Sequence, residues 1–151
     1  MAYFPTPEQV AIAWLTGLDT VPAGKVATTL PGDPATWAAD GFVQATSTGG
    51  DVPDPELARM EYVVTVDCWA NTGNSQKPPW GKAGSLAAGI TYAAVLDDQP
   101  GLFVFGDGFH SVRLFAVYPV SPVRRIPGDP SGFARYQVDL TFTYIPVLVT
   151  P

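Results

Sequence analysis

The chain has 151 residues, a formal net charge of −6, 46% apolar and 12% aromatic side chains. That is one domain's worth of chain with enough apolar surface to bury a core, which excludes whole-chain disorder. The acidic balance excludes a general grip on nucleic acid, which needs Lys and Arg against phosphate, and a single cysteine, Cys68, excludes an internal disulfide.

Thr6-Pro7-Glu8-Gln9 reads as a helix start: Thr6 caps, Pro7 suits the first turn and Gln9 completes a capping box. Val10, Ala13, Trp14 and Leu18 then share one face, so a helix is predicted over 7–18, bounded by Gly17 and Pro22. Lys25–Leu30 is rich in β-branched residues and reads as a strand stopped by Pro31-Gly32-Asp33-Pro34. Residues 31–41 form a loop carrying Trp37, and Gly41–Ser47 is a second strand. A further loop over 48–55 carries Asp51 and Asp54, with Glu56 close by.

Met60–Ala70 alternates. Tyr62, Val64, Val66 and Cys68 share one side; Glu61, Val63, Thr65 and Asp67 share the other. After the polar loop 71–77 and Pro78-Pro79, a second helix is predicted over Trp80–Leu96, with Ala83, Leu86, Ala87, Ile90 and Ala94 as its apolar stripe. Gly81, Gly84 and Gly89 each cost such a helix about 1 kcal/mol relative to Ala, which points to close backbone approach to a sheet or a neighbour. Phe109–Tyr118 is a fourth strand, 119–130 is extended and Pro-rich with Arg124-Arg125, and Ala134–Ile145 is the clearest strand of all. In that last strand Tyr136, Val138, Leu140, Phe142 and Tyr144 point one way and Arg135, Gln137, Asp139, Thr141 and Thr143 the other. One core face and one wet face favour an antiparallel sheet. The expected fold is α+β, order α-β-β-β-α-β-β, with two helices on one face of a mostly antiparallel sheet, in a single domain over 1–151 with no repeat or linker.

The chemistry is sparse. The one histidine, His110, lies beside the turn Gly106-Asp107-Gly108, with no nucleophile elbow near it, and reads as an ordinary strand residue. Cys68 falls on an apolar strand face, where a buried, inert thiol is expected. One Cys and one His far apart do not make a metal site, and the acids Asp51, Asp54, Glu56, Asp97 and Asp98 lack the spacing of a calcium loop, so no metal and no cofactor is expected. Trp80-Gly81-Lys82-Ala83 is not a phosphate loop, because Gln76 and Ala83 stand where Gly and Ser or Thr are required. Arg124-Arg125 reads as part of an exposed extended segment that could meet phosphate or an acidic neighbour. Trp37, Phe42, Trp69 and Trp80 lie in loops or at strand ends. Each alone is accounted for as a lid on the core, but together they make an intersubunit contact the expectation, because tryptophan is enriched at interface hot spots. The candidate interface set is Trp37, Phe42, Trp69, Trp80, Lys82, Arg124 and Arg125. The N-terminal Met-Ala-Tyr-Phe-Pro-Thr-Pro-Glu lacks the pattern of a secretory signal, and no apolar run reaches the ~18 residues that span a bilayer. The expected setting is a cytoplasm, or a particle assembled there, with no membrane.

Four stretches together resemble the tail terminator proteins of long non-contractile-tailed bacteriophages, especially those of actinobacteria. They are the helix Glu8–Leu18 with Trp14-Leu15, the strand Val64-Thr65-Val66-Asp67-Cys68-Trp69-Ala70, the run Lys77-Pro78-Pro79-Trp80-Gly81-Lys82-Ala83 into Leu86-Ala87, and Arg125-Ile126-Pro127-Gly128-Asp129-Pro130 followed by Ala134-Arg135-Tyr136. The resemblance implies a structural virion protein at the tail–neck junction and not an enzyme. It implies a homo-oligomeric ring, usually of six, seated on the major tail tube protein, ending tube growth and offering a surface to the head–tail connector. DNA would pass through the lumen without specific recognition, and an acidic lumen would repel rather than hold it. Three alternatives stay open: another neck protein such as a head-completion or connector-stopper protein; a virion decoration protein; and a small hydrolase or ligand-binding domain using Asp67, Asp107 and His110. The last requires those three side chains to converge in a pocket.

Overall fold

A computed structural model describes residues 3–37, 40–50, 59–71, 78–96, 101–106, 108–128 and 132–147. Its elements run α1 (Pro7–Thr16), β1 (Val26–Ala27), a 3-10 turn (Pro34–Thr36), β2 (Phe42–Gly50), β3 (Met60–Asn71), α2 (Trp80–Leu96), β4 (Gly101–Phe103), β5 (Ser111–Pro119), β6 (Arg124–Arg125) and β7 (Phe133–Val147). The expected α-β-β-β-α-β-β order holds, with the two short strands β4 and β6 added. Neither carries enough residues to show a period of two, so neither was legible as a strand.

All strands join one sheet in the order β1-β2-β3-β7-β5-β4, with β6 also on β7. Among the described strands every pairing is antiparallel except β1 with β2, and Tyr3 makes an isolated parallel bridge to Phe109. The long central pair β3–β7 is in continuous register from Met60 opposite Tyr144 to Asn71 opposite Phe133. β5 flanks the second half of β7 and β6 the first half, with a bulge at Phe115 and a short detour over 120–123 between them.

The α1 start forms as the sequence dictates. Thr6 accepts from the Gln9 amide at 3.2 Å and the Gln9 side chain accepts from the Thr6 amide at 2.8 Å. The helix closes at Thr16, two residues early, because Gly17 takes the C-cap. Its buried face is Val10, Ala11, Trp14 and Leu15; Ala13 is half-buried, and Leu18 enters the core from beyond the helix. Trp14 meets Phe142 edge-on, with ring centroids 5.6 Å apart.

α2 buries the predicted stripe Ala83, Leu86, Ala87, Ile90 and Ala94, with Ala93 added. The close approach expected of its glycines occurs at two of the three. A methyl at Gly84 would lie 3.3 Å from the Tyr136 ring, and one at Gly89 would lie 2.3 Å from Thr20 Oγ1, whereas Gly81 faces open space. Both helices pack on the side of the sheet that carries Val64, Val66, Cys68, Val138, Leu140, Phe142 and Tyr144, and the main core lies between them and the sheet.

Candidate functional site

The other side of the sheet is where the structure departs most from the sequence reading. A simple wet face was expected, yet Thr65, Asp67, Trp69 and Asn71 of β3 and Thr141 of β7 are all buried there. Two things cover them. At one end Trp37 is brought back over the sheet by the 3-10 turn, with its Nε1 donating to the Pro31 carbonyl at 3.4 Å. Trp37, Phe42 and Trp69 form a second small core with Phe133 against them. Their ring centroids lie 5.7–6.0 Å apart in tilted and edge-on pairs, within the favourable range. These three members of the candidate interface set pack within the subunit, each as the lid on the core that it was singly read to be.

Beyond that cluster the cover is polar. Gln137 Nε2 donates to Asp67 Oδ1 at 2.9 Å, and Arg135 pairs with the same oxygen at 3.7 Å while lying over the Trp69 ring. Arg124 donates to Gln137 Oε1, to Ser121 Oγ at 2.8 Å and to Asp139 Oδ2 at 3.3 Å. Thr65 Oγ1 donates to Asp139 Oδ1 at 2.6 Å, and the Asp139 amide donates to Ser121 Oγ at 2.9 Å. Long side chains of β7 thus reach β3, Arg124 of β6 lies over β7, and Asp67 and Asp139 each face a guanidinium. Further along, the Tyr118 hydroxyl donates to Glu61 Oε1 at 3.2 Å. Desolvation, then the Glu61 charge, raises the pKa of Tyr118.

The two arginines of β6 part company because neighbours in a strand point to opposite faces. Arg124 joins the polar layer. Arg125, opposite Tyr136, turns to the helix side, where its guanidinium sits 3.8 Å from the Trp80 ring centroid, and Trp80 meets Tyr136 edge-on. Lys82 is exposed in the first turn of α2. Trp80, Lys82 and Arg125 therefore lie near the point where α2 begins, apart from the Trp37 cluster on the opposite face.

The hydrolase constellation does not assemble among the described residues. Asp67 stands opposite Gln137, whereas Ser111, next to His110, stands opposite Val147. Ten residues of β7 separate those points, or about 33 Å at strand rise. Asp107 lies outside the described residues, as do Asp51, Asp54, Glu56, Asp97 and Asp98. No metal-binding group of His, Cys, Asp and Glu occurs among the described residues, and no helix there is long and apolar enough to cross a membrane. Cys68 is fully buried on the core side, where desolvation and then the Asp67 charge push its thiol pKa far up, so the thiol is inert as expected.

The class defined by this geometry is an α+β fold with one largely antiparallel sheet, two helices on one face and a hydrogen-bonded polar layer on the other. No protein-family model matches the sequence, and no curated protein matches it. Among solved structures it is similar to a chain from the virion of a native gene transfer agent particle. The match covers 93% of this chain and 90% of that one, with a TM-score of 0.53 and 16% identity. At that identity the likeness is one of fold.

Proposed function

We propose that this chain is a structural virion protein of a phage-like particle, and within that class a tail terminator. As a ring, usually of six copies, it would cap the tail tube, end polymerisation of the major tail tube protein and offer the head–tail connector its seat. The observation that carries the virion reading is the shared fold along nearly the whole length of a chain from a gene transfer agent virion. The narrower reading rests on the four sequence stretches that resemble tail terminators. Separation of Asp67 from His110 by most of a long strand supports a role carried by surfaces rather than by catalysis. On this reading Trp80, Lys82 and Arg125 are the surface part of the candidate interface, Arg124 holds the strand that presents Arg125, and Trp37, Phe42 and Trp69 pack together within the subunit on the opposite face.

Deletion of the gene from its phage, with electron microscopy of the lysate, tests it. Overlong tails without heads are expected. Normal-length free tails beside DNA-filled heads would move the protein to the neck, and intact virions would overturn both readings.

A further inference from the structure

The end strands of an open sheet expose backbone donors and acceptors, and proteins cover or blunt them. Here both flanks are covered only in part. β4 pairs with Val112–Leu114 alone, so among the described residues no strand lies beside β5 from Phe115 to Tyr118. On the far flank β1 pairs with Val43 and Gln44 alone, so among the described residues no strand lies on the outer side of β2 from Ala45 to Gly50. Within that stretch the Ser47 amide donates to the Glu8 carboxylate at 3.1 Å.

The two rims complement each other in shape. On β5, Phe115 is 45% exposed, and Tyr118, 41% exposed, keeps its hydroxyl on Glu61 of β3. β2 ends in Ser47-Thr48-Gly49-Gly50, and the space over Gly49 is open. Aromatic side chains laid over edge glycines stabilise sheets. They also complement each other in direction. β2 with β3, β3 with β7 and β7 with β5 are all antiparallel, and three reversals leave β2 and β5 running in opposite senses. Copies set side by side in one orientation therefore bring β5 of one against β2 of the next as an antiparallel pair.

We propose that neighbouring copies join at these rims, Phe115–Tyr118 of one against Ala45–Gly50 of the next, with the Glu8 carboxylate yielding the Ser47 amide to an incoming carbonyl. The two patches differ, so the contact is heterologous, the kind that generates a ring when the rotation from copy to copy closes. This join rests on the ring reading given above and names its subunit contact.

Gly49→Cys and Phe115→Cys in one chain lie on opposite flanks, three strand spacings or about 14 Å apart, beyond the reach of a direct disulfide. Cys68 is buried and stays silent. Oxidation of the concentrated double variant, followed by non-reducing electrophoresis, is expected to give a ladder ending in a closed oligomer, while each single variant runs as an uncross-linked monomer on the gel. Phe115→Glu, with folding checked by circular dichroism, is expected to weaken association in sedimentation by at least about tenfold, as for a hot-spot aromatic. Dimers from Phe115→Cys alone would replace the ring join with a two-fold pairing. Oligomers without a ladder would place the contact elsewhere, and a monomer at all concentrations would remove it; each of the three overturns the proposal. Overlong tails on gene deletion combined with a failed ladder would sink the join and spare the terminator reading; a ladder with intact virions would do the reverse.

Discussion

Thr65 Oγ1 donates to Asp139 Oδ1 at 2.6 Å between the two longest strands, from residues 74 positions apart in the chain. Thr65 is buried, and its neighbour on β2, Thr46, faces the same way but is exposed. Replacing Thr65 by Val leaves a carboxylate oxygen short of a donor, which costs about 1–3 kcal/mol. Thr46→Val should stay within about 0.5 kcal/mol of the parent, as surface changes do. Urea denaturation of the two variants measures the difference, and equal effects would mean that the polar layer is only solvated surface.

The glycines of α2 should separate by their surroundings. Gly81→Ala meets open space and should stabilise by about 0.5–1 kcal/mol through helix propensity. Gly89→Ala drives a methyl into Thr20 and should destabilise by about 1–3 kcal/mol. Thr20→Ala in the same chain should return part of that loss. Thermal melts of the three variants test the ordering.

Alkaline pH should reveal Cys68. Burial raises its pKa in the folded chain, so its contribution to stability is full below the unfolded thiol value of about 8.5 and falls as pH rises beyond it. The expected slope is about 1.4 kcal/mol per pH unit for this group. Between pH 8.5 and 10 the Cys68→Ala variant should lose stability less steeply than the parent. Tyr144 and Tyr118, also raised chiefly by desolvation, add their losses only above about pH 10. Parallel slopes for parent and variant would refute the assignment.

Arg125 and Trp80 should be coupled. A guanidinium stacked on an indole is worth about 0.5–1 kcal/mol at an accessible site. A double-mutant cycle of Arg125→Ala and Trp80→Leu should return a coupling of that size. Arg125→Lys should recover little of it, because an ammonium lacks the planar face that stacks. A zero coupling would mean that the pair meets without consequence.

Much of the architecture was readable without coordinates. Thr6 and Gln9 announced a capping box, the alternation through β3 and β7 announced a sheet with one core face, and the Ala and Leu positions of α2 announced its buried stripe. These signals are local: each depends on the spacing of a few residues along one element, which fixes the face they share whatever lies opposite. The glycines of α2 pointed to close approach, but only packing shows that Gly84 meets Tyr136, that Gly89 meets Thr20 and that Gly81 meets nothing.

What the sequence determined alone is the order of the elements, the side of each that is apolar and the poverty of catalytic chemistry. The tertiary structure decided the rest. The polar side of β3 is buried because register sets Asp67 against Gln137 and Thr65 against Asp139, with Arg124 of β6 lying beside both. Trp37, Phe42 and Trp69 became a core rather than a surface because a 3-10 turn folds the loop back onto the sheet. Asp67 and His110 were set far apart because Asp67 stands opposite Gln137, towards the start of β7, whereas Ser111, next to His110, stands opposite Val147 at its end. Register across strands joins residues dozens of positions apart, and no periodicity within one strand carries that information.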